Sequence, residues 1–377
     1  MSNSQRQTLR PAWVEIDLKQ VRRNFEIINR DKPGRVSLLS VIKDQAYGHG
    51  AVEVAKIALQ TGASYLAAAT IDEALDLRRH GISAPILLFG ERTEDELKIC
   101  LDENLTCFVN QVAQARRYSQ LAAAKNKQPR VHIEVDTGLS RYGVRWTQAL
   151  PVIEHVLKTN TLALEGVMSH FAMSDELDKS FALQQFERFQ EVLNEMNQRN
   201  MHVKYRHMCN TGGFLDLPQA HFDLVRMGIL PLGVYPSQVC RRLSGLAPVM
   251  TVKTKVAALR DVQTNDVVGY GMRYQASSPR RIAVLPVGYG DGYPRVQNQG
   301  DVLIRGKRAP IIGGNAMDAM MVDVTEIPAT KVWDEVVLMG KQEAEEIDVH
   351  EIALLKGSVS YDILTGWRWR LPRVYNN

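Results

Sequence analysis

The sequence predicts an α/β fold, a (β/α)8 barrel of the TIM type followed by a C-terminal antiparallel β domain. Eight short apolar runs alternate with segments of helical period between residues 35 and 230, which is the order of a barrel. Most of these runs are continuous, as expected for parallel strands that are covered by helices. After about residue 245, short β-type runs separated by turn signals replace this order. A doubly wound open sheet is the second interpretation, because it needs a different strand count and a switch point.

Each predicted element follows from its local pattern. The helices have apolar residues at helical spacing, and Asp17 directly before the first helix is a typical N-cap. The predicted barrel strands are 36–43, 65–70, 85–90, 105–110, 130–136, 164–170, 203–208 and 222–228. The predicted helices of this part are 18–29, 51–61, 71–79, 94–103, 112–125, 148–158 and 181–199. The predicted β-domain strands are 249–258, 281–288, 301–304, 309–312, 320–324 and 335–339, before a helix at 349–355. We place the barrel at 12–245 and the β domain at 246–377, with residues 1–11 packing on the latter.

Composition and charge exclude several classes of protein. Hydrophobic residues make up 45% of the 377 residues and charged residues 23%, the ordinary mixture for a globular protein. The net charge of +4 is spread among interleaved acidic and basic residues, which argues against a nucleic-acid partner.

No apolar run predicts a membrane span or a signal peptide. Cys100, Cys107, Cys209 and Cys240 lack zinc-site spacing. We therefore expect a soluble cytoplasmic protein with free buried thiols, no metal and no membrane partner.

Polar residues follow the predicted barrel strands at the points where these strands end. In a barrel, the carboxyl ends of the strands surround the active site, so such residues are candidates for chemistry. These residues are Lys43 after the first strand, Arg141 after the fifth, His170 after the sixth, His207 and Asn210–Gly213 after the seventh, and Arg226–Ile229 at the eighth.

Lys43 has three possible roles: a Schiff-base nucleophile, a phosphate partner or a solvated surface residue. An arbitrary lysine is usually solvated, but Lys43 ends an apolar run. A desolvated amine near other cations has a lowered pKa and can attack an aldehyde. The glycines of the segment 46–50, which leads into a helix, and the loop 210–213 suit a phosphate group. The glycine-rich segment 288–293 lacks the strand and helix of a dinucleotide site.

Together, these motifs resemble those of bacterial alanine racemases, in order and from about residue 12 onwards. The matching segments are 43 with 46–50, 135–143, 169–172, 207 with 210–211, 222–229, 269–271, 288–293, 317–318 and 360–361. The resemblance implies a pyridoxal 5'-phosphate enzyme that racemises alanine, supplies D-alanine for peptidoglycan and acts as a head-to-tail homodimer. Its cofactor-binding residues would be Lys43, Tyr47, Arg141, His170, Asn210, Thr211, Arg226, Gly228, Ile229 and Tyr361.

The resemblance also implies two opposed bases. Lys43 would serve one face of the substrate and Tyr270, supplied by the partner subunit, the other. Because the ordinary pKa of tyrosine is too high for a base at neutral pH, we expect Arg226 and His170 to supply positive charge nearby. Arg141, Tyr289 and Met317 would contact the substrate, the last two reaching in from the partner.

The sequence departs from the family pattern at two places. Glu134 stands where many relatives have a lysine that becomes carbamylated, and we expect its permanent negative charge to orient Arg141. Gly314 and Ala316 replace larger or polar residues, which leaves the preference for alanine over serine open. A decarboxylase of the same barrel class and a non-enzymatic pyridoxal-phosphate carrier are weaker alternatives. Arg226 argues against the first and the β domain against the second.

Overall fold

The structure is a computed structural model and describes residues 9–377. Its internal contacts form two compact units. The barrel unit contains Val21–Ala46 and Ala51–Leu246. The β unit contains Tyr47–Gly50, Ala247–Asn377 and the described residues up to Gln20. The predicted packing of residues 1–11 on the β domain lies, for residues 1–8, outside the described residues.

The elements are numbered in chain order. The strands are β1 Ala12–Asp17, β2 Ser37–Val41, β3 Tyr65–Ala68, β4 Ile86–Leu88, β5 Thr106–Phe108, β6 Arg130–Asp136, β7 Val144–Arg145, β8 Ala163–Met168, β9 Tyr205–His207, β10 Leu224–Met227, β11 Met250–Lys255, β12 Ala258–Val262, β13 Val267–Val268, β14 Tyr274–Gln275, β15 Arg280–Leu285, β16 Asp301–Ile304, β17 Lys307–Ile312, β18 Met320–Asp323, β19 Glu335–Gln342, β20 Glu345–Ile347 and β21 Arg373–Asn376. The helices are α1 Leu18–Asp31, α2 Lys43–Gly48, α3 Ala51–Gln60, α4 Ile71–Arg79, α5 Glu94–Asp102, α6 Val112–Ala124, α7 Ala149–Leu157, α8 Ser180–Gln198, α9 Thr211–Asp216, α10 Val349–Lys356 and α11 Ser360–Gly366.

Eight parallel strands of the barrel unit form a nearly closed sheet, which confirms the predicted fold. Their order is β10-β2-β3-β4-β5-β6-β8-β9, and β7 pairs with β6. Two backbone hydrogen bonds link the chain at β9 to that at β10: Asp223 N–H donates to Arg206 O, and Arg226 N–H donates to Cys209 O. Every residue of β3, β4 and β10 is buried, as parallel strands under a layer of helices require.

The β unit contains a second, largely antiparallel sheet. Its strand order is β12-β15-β18-β17-β16-β19-β11-β1-β21, with β20 on β19 and a separate β13–β14 pair. Residues 12–17, which the sequence interpretation gave to the barrel, form β1 of this sheet. They lie antiparallel to β11 and parallel to β21. The predicted strand 249–258 is two strands, β11 and β12, which pair with different neighbours.

Most predicted helices are present within a few residues of their predicted bounds, and Asp17 caps α1 as expected, its carboxylate accepting from Gln20 N–H at 2.8 Å. Helix α11 was not predicted, and neither was α2, which begins at Lys43. Its residues Asp44–Tyr47 have φ between 50° and 55°. They therefore form a left-handed turn, which costs roughly 1–2 kcal/mol for each L-residue.

Two glycines, one at the end of α2 and one just after it, are required by space as well as by conformation. Gly48 has φ +82°, and a Cβ there would lie 2.4 Å from the Leu364 carbonyl oxygen. Gly50 has φ +103°, and a Cβ there would lie 2.0 Å from the Tyr375 hydroxyl. The Gly48 carbonyl also accepts a hydrogen bond from Arg373 Nε at 3.0 Å. These contacts, all within the β unit, explain the glycine spacing of residues 46–50.

Membrane-spanning helices, metal-ligand groups and disulfides are absent from the described part of the fold. Within residues 9–377 no helix combines the length and apolar character that crossing a bilayer requires. The same part of the chain contains no group of three His, Cys, Asp or Glu side chains arranged to hold a metal ion. All four cysteines are buried and none is in a disulfide.

Replacing Gly50 with alanine tests the contact with Tyr375. Gly62 is a matched control, because its φ of +100° is nearly the same and nothing lies within 4 Å of its Cβ position. We expect Gly62→Ala to lower the free energy of unfolding by about 1–2 kcal/mol, the cost of the left-handed backbone. Gly50→Ala should lower it by at least about 1 kcal/mol more, because the tyrosine must move. Urea titration of both variants measures the difference, and equal losses would contradict the steric argument.

Candidate active site

Lys43 lies where β2 ends, and its amine is half-buried. Burial lowers the pKa of this amine, and the positive charge of Arg141 lowers it further, against the opposite effects of Glu73 and Asp44. Glu73 also fixes the backbone here, accepting a hydrogen bond from Asp44 N–H at 2.6 Å. A lysine with a lowered pKa is more often neutral and therefore nucleophilic.

Arg226 is the most deeply buried cation of this site, at 2% exposure on β10. Its Nη1 hydrogen-bonds to His207 Nδ1 at 3.1 Å. Its Nη2 lies within hydrogen-bond distance of three acceptors, namely Ser169 O at 2.9 Å, Met208 O at 3.0 Å and His170 Nδ1 at 2.8 Å. Burial lowers the pKa of the guanidinium to about 10, so it stays charged at neutral pH. Its Nε is buried and has no hydrogen-bond partner among the described residues.

His170 is a neutral acceptor, which corrects one expectation. Burial lowers the pKa of its ring well below the usual value, and the neighbouring Arg226, Arg141 and Lys43 lower it further. Because arginine can only donate, His170 Nδ1 must accept the bond from Arg226. The sequence interpretation expected both Arg226 and His170 to supply positive charge. Of these two residues, only Arg226 supplies it.

Glu134 corrects a second expectation, that of a permanent negative charge. Its side chain lies on β6 at 4% exposure. Burial raises the pKa of the carboxyl to about 7, although Arg141 and Arg226 oppose the shift. The carboxyl therefore titrates near neutral pH. The side chain of Arg141 is exposed. The backbone of Glu134 is held by Asn110, whose Oδ1 accepts a hydrogen bond from Glu134 N–H at 2.8 Å.

The loop after β9, which the sequence singled out as suited to a phosphate group, leads into the short helix α9. Asn210 caps this helix, because its Oδ1 accepts from Gly213 N–H at 3.0 Å. The same oxygen accepts from the Ser174 hydroxyl at 2.7 Å. Thr211 is buried at the first helical position, and Ile229 is buried just after β10. Gly228 stands between β10 and Ile229.

The other predicted site residues lie in the β unit. The rings of Tyr47 and Tyr361 have centroids 6.0 Å apart. The backbones carrying Tyr289 and Met317 are joined, since Tyr289 N–H donates to Ala316 O at 3.1 Å and Gly290 N–H to Met317 O at 2.7 Å.

Tyr270 also lies in the β unit, on a turn between two glycines with φ of +77°, and is 78% exposed within the single chain. The barrel unit brings together the charged and imidazole groups, namely Lys43, Glu134, Arg141, His170 and Arg226.

Sequence reasoning missed the ion pair of Arg10 and Asp291. Asp291 is fully buried and accepts two hydrogen bonds from Arg10, at 2.5 and 2.8 Å. Its carboxylate also accepts from Gly288 N–H at 3.0 Å, and Arg10 donates to Pro286 O at 2.7 Å. The pair fixes the loop that carries Tyr289. Its only sequence signal is the acidic residue between glycines at 290–292.

Comparison with known proteins identifies the family. Residues 16–236 match the family described as "Alanine racemase, N-terminal domain", and residues 249–375 match "Alanine racemase, C-terminal domain". The chain belongs to the alanine racemase family.

Similarity to other alanine racemases extends along the whole chain. The chain is 42% identical over 369 residues to an alanine racemase of Carboxydothermus hydrogenoformans, covering 97% of this chain and 100% of the relative. It is 38% identical over 369 residues to alanine racemase 2 of Caldanaerobacter subterraneus subsp. tengcongensis, covering 97% and 95%.

Two solved structures are also similar. The alanine racemase of Clostridium difficile 630 has a TM-score of 0.93 at 30% identity, with 98% of this chain and 97% of that chain covered. The alanine racemase of Bacillus anthracis with bound L-Ala-P has a TM-score of 0.90 at 33% identity, with 98% and 95% covered.

The raised pKa of Glu134 in this family member predicts a pH-dependent stability. The folded protein retains a proton that the unfolded chain releases between about pH 4.5 and 7, so this group destabilises the fold as the pH rises through that window. We compare the free energy of unfolding of Glu134→Gln with that of wild type. This difference should shift in favour of the variant by about 3 kcal/mol as the pH rises from about 4.5 to about 8. Urea unfolding at both pH values measures the gain. Glu191→Gln, an exposed change on α8, is the control, and a pH-independent difference for Glu134→Gln would refute the assignment.

Proposed function

We propose that this protein is a cytoplasmic, pyridoxal-phosphate-dependent racemase that interconverts L-alanine and D-alanine and so supplies D-alanine for peptidoglycan. Family membership over nearly the whole chain supports the reaction. The observation that carries the proposal is the buried Nε of Arg226, a donor without a partner among the described residues, in the same unit as the low-pKa amine of Lys43.

The residues present fit this cofactor. A buried donor without an acceptor is costly, and the ring nitrogen of pyridoxal phosphate is an acceptor that Arg226 Nε could satisfy. A neutral Lys43 amine is the group that condenses with an aldehyde. When bound, the cofactor supplies that aldehyde and an electron-withdrawing ring that weakens the Cα–H bond of an amino acid.

The family resemblance assigns the remaining cofactor contacts. Thr211 and Ile229, and likewise Tyr47 and Tyr361, would hold the phosphate. Asn210 and Gly228 would shape the backbone beside it, Asn210 through the α9 cap. His170, as a neutral ring bonded to Arg226, would pack beside the cofactor without adding charge.

Racemisation needs a proton removed from one face of Cα and returned to the other, which suits two bases on opposite sides. Lys43 would serve one face and Tyr270 of a second subunit the other. The 78% exposure of Tyr270 in one chain leaves its hydroxyl available to a partner. Arg141 would bind the substrate carboxylate, with Glu134 orienting it when ionised.

Substrate size in this proposal depends on the loop around Tyr289 and Met317. A Cβ at Gly314 would meet only the Tyr270 carbonyl oxygen, at 3.6 Å, which is ordinary contact. Gly314 therefore leaves open space next to the proposed base where a larger residue would fit. Because of this space, serine should be tested as a substrate in addition to alanine.

Chiral chromatography of the purified, cofactor-loaded enzyme with L-alanine tests the reaction. We expect equal amounts of L- and D-alanine at equilibrium, because the two are mirror images, and a loss of more than about 1,000-fold in kcat for Lys43→Ala. L-Serine in parallel measures substrate breadth. Release of carbon dioxide would instead indicate a decarboxylase, and no reaction with either amino acid would contradict an enzymatic role.

Complementation tests the shared site. A Lys43→Ala chain and a Tyr270→Ala chain should each be inactive alone. After subunit exchange they should regain roughly a quarter of wild-type activity, because half the dimers are mixed and each of these has one intact site of two. Mass spectrometry of differently tagged chains verifies the exchange. No recovery in verified mixed dimers would contradict a site built from two subunits.

A further inference from the structure

A row of buried polar side chains leads away from Arg226 through the barrel unit. Arg226 Nη1 lies 3.1 Å from His207 Nδ1, and His207 Nε2 lies 3.0 Å from His132 Nδ1. Both histidine side chains are fully buried, and their rings cross at 69° with centroids 5.1 Å apart. Beyond them, His132 Nε2 faces Glu165 Oε2 at 3.7 Å, an ion-pair distance that is longer than a hydrogen bond.

The direction of these hydrogen bonds is fixed by the first donor. A guanidinium can only donate, so His207 must accept at Nδ1 and therefore carries its proton on Nε2. That proton points at His132 Nδ1, which must accept in turn. His132 consequently carries its proton on Nε2, where it faces the carboxylate of Glu165.

The two rings are neutral and the last group is charged. Burial lowers the pKa of both His132 and His207, and the positive charge of Arg226 lowers both further. The neighbouring Glu165 raises the pKa of His132 but does not outweigh burial. Burial alone would raise the pKa of Glu165, but contacts with His132 and Tyr65 outweigh it and lower the pKa to about 2. The row therefore runs from a cation, through two neutral rings, to an anion.

Glu165 is itself held by its surroundings. Its Oε2 accepts a hydrogen bond from the Tyr65 hydroxyl at 2.9 Å, and that hydroxyl lies 2.6 Å from Thr106 Oγ1. Lys204 Nζ lies 3.5 Å from the other carboxylate oxygen. Glu165 is the third residue of β8, towards the strand end opposite the candidate site.

The glycine that follows Glu165 makes room for the row. A Cβ at Gly166 would lie 2.6, 2.7 and 2.9 Å from three atoms of the His132 ring. The backbone of Gly166 does not have a positive φ, so the requirement for glycine is one of space. The His132 ring fills the place of that side chain.

We propose that Glu165 is a positioning residue for Arg226: its carboxylate oxygen faces His132 Nε2 at 3.7 Å and stabilises the proton there, at the end of a one-way hydrogen-bond row through His132 and His207. The inference rests on the proposed function, since Arg226 is there the group that meets the cofactor ring. The facing oxygen favours the His132 orientation that the donor from Arg226 requires, because the buried N–H of His132 then points at a negative charge. Without that oxygen the N–H faces no charge, and the His132 ring can turn over and break the row.

Three variants separate this role from simple packing. Glu165→Leu removes the acceptor, Glu165→Gln keeps an acceptor oxygen without charge, and Gly166→Ala displaces the His132 ring without touching Glu165. We expect kcat for alanine to fall about tenfold in Glu165→Leu and Gly166→Ala, the scale of loss when a supporting hydrogen bond is removed. Glu165→Gln should stay within about threefold of wild type, and KM should change little in all three.

Nitrogen-15 NMR of histidine-labelled holoenzyme gives a readout that does not depend on activity. In wild type and Glu165→Gln, His132 and His207 should both show protonated Nε2 and unprotonated Nδ1, with the His132 signals assigned by their loss in His132→Gln. In Glu165→Leu and Gly166→Ala the His132 pattern should change. If Glu165→Leu fails to fold, Gly166→Ala carries the test.

The outcomes distinguish this proposal from the function on which it rests. Wild-type protein without racemase activity would overturn the proposed function, while the NMR pattern would still report on the row. Unchanged kcat and unchanged tautomers in both Glu165→Leu and Gly166→Ala would overturn the positioning role. Equal losses in Glu165→Gln and Glu165→Leu would overturn the role of the oxygen that faces His132, because both variants would then behave alike although only one keeps an oxygen there.

Discussion

A guanidinium buried in the barrel wall is the group on which the candidate site depends. Among the described residues, no carboxylate hydrogen-bonds to Arg226, so carbonyl oxygens and imidazole nitrogens replace the water that it loses. Moving a charge out of water is expensive unless such acceptors take its place. The neighbouring His170 and His207 must therefore stay neutral, and Nε, the guanidinium nitrogen without a hydrogen-bond partner among the described residues, determines from which direction a further acceptor can approach.

The segment after Lys43 is held in a conformation that its residues do not favour. Four L-residues in the left-handed region are unfavourable by several kcal/mol, at about 1–2 kcal/mol each. Strain of this kind persists only where surrounding contacts over-determine the backbone. Here a side chain from α4 binds the first of these amides, and in the β unit Arg373 binds the carbonyl of Gly48. The strain lies directly beside the proposed nucleophile.

The sequence was sufficient to predict the barrel and the antiparallel β domain, but not the place of β1 in the second sheet or the charges of the site. Apolar runs and helical spacing are local signals, so all eight parallel strands were found. Within residues 9–377, strand β1 pairs with β11 and β21, far away in the chain, and no local pattern indicates such partners. The ionisation of Glu134 and His170 depends on burial, which the residue types alone do not reveal. The handedness of α2 was missed for a related reason, since its glycines are constrained by distant residues.

The row of imidazoles behind Arg226 also bears on proton traffic. A hydrogen-bond row can relay a proton only in the sense in which its donors already point, and here they point away from the cofactor side. Inward transfer would require both rings to exchange tautomers while buried. The row therefore does not carry protons inward, from Glu165 at the far end of the barrel to Arg226. It is polarised from a cation to an anion, and that polarity makes it a one-way path.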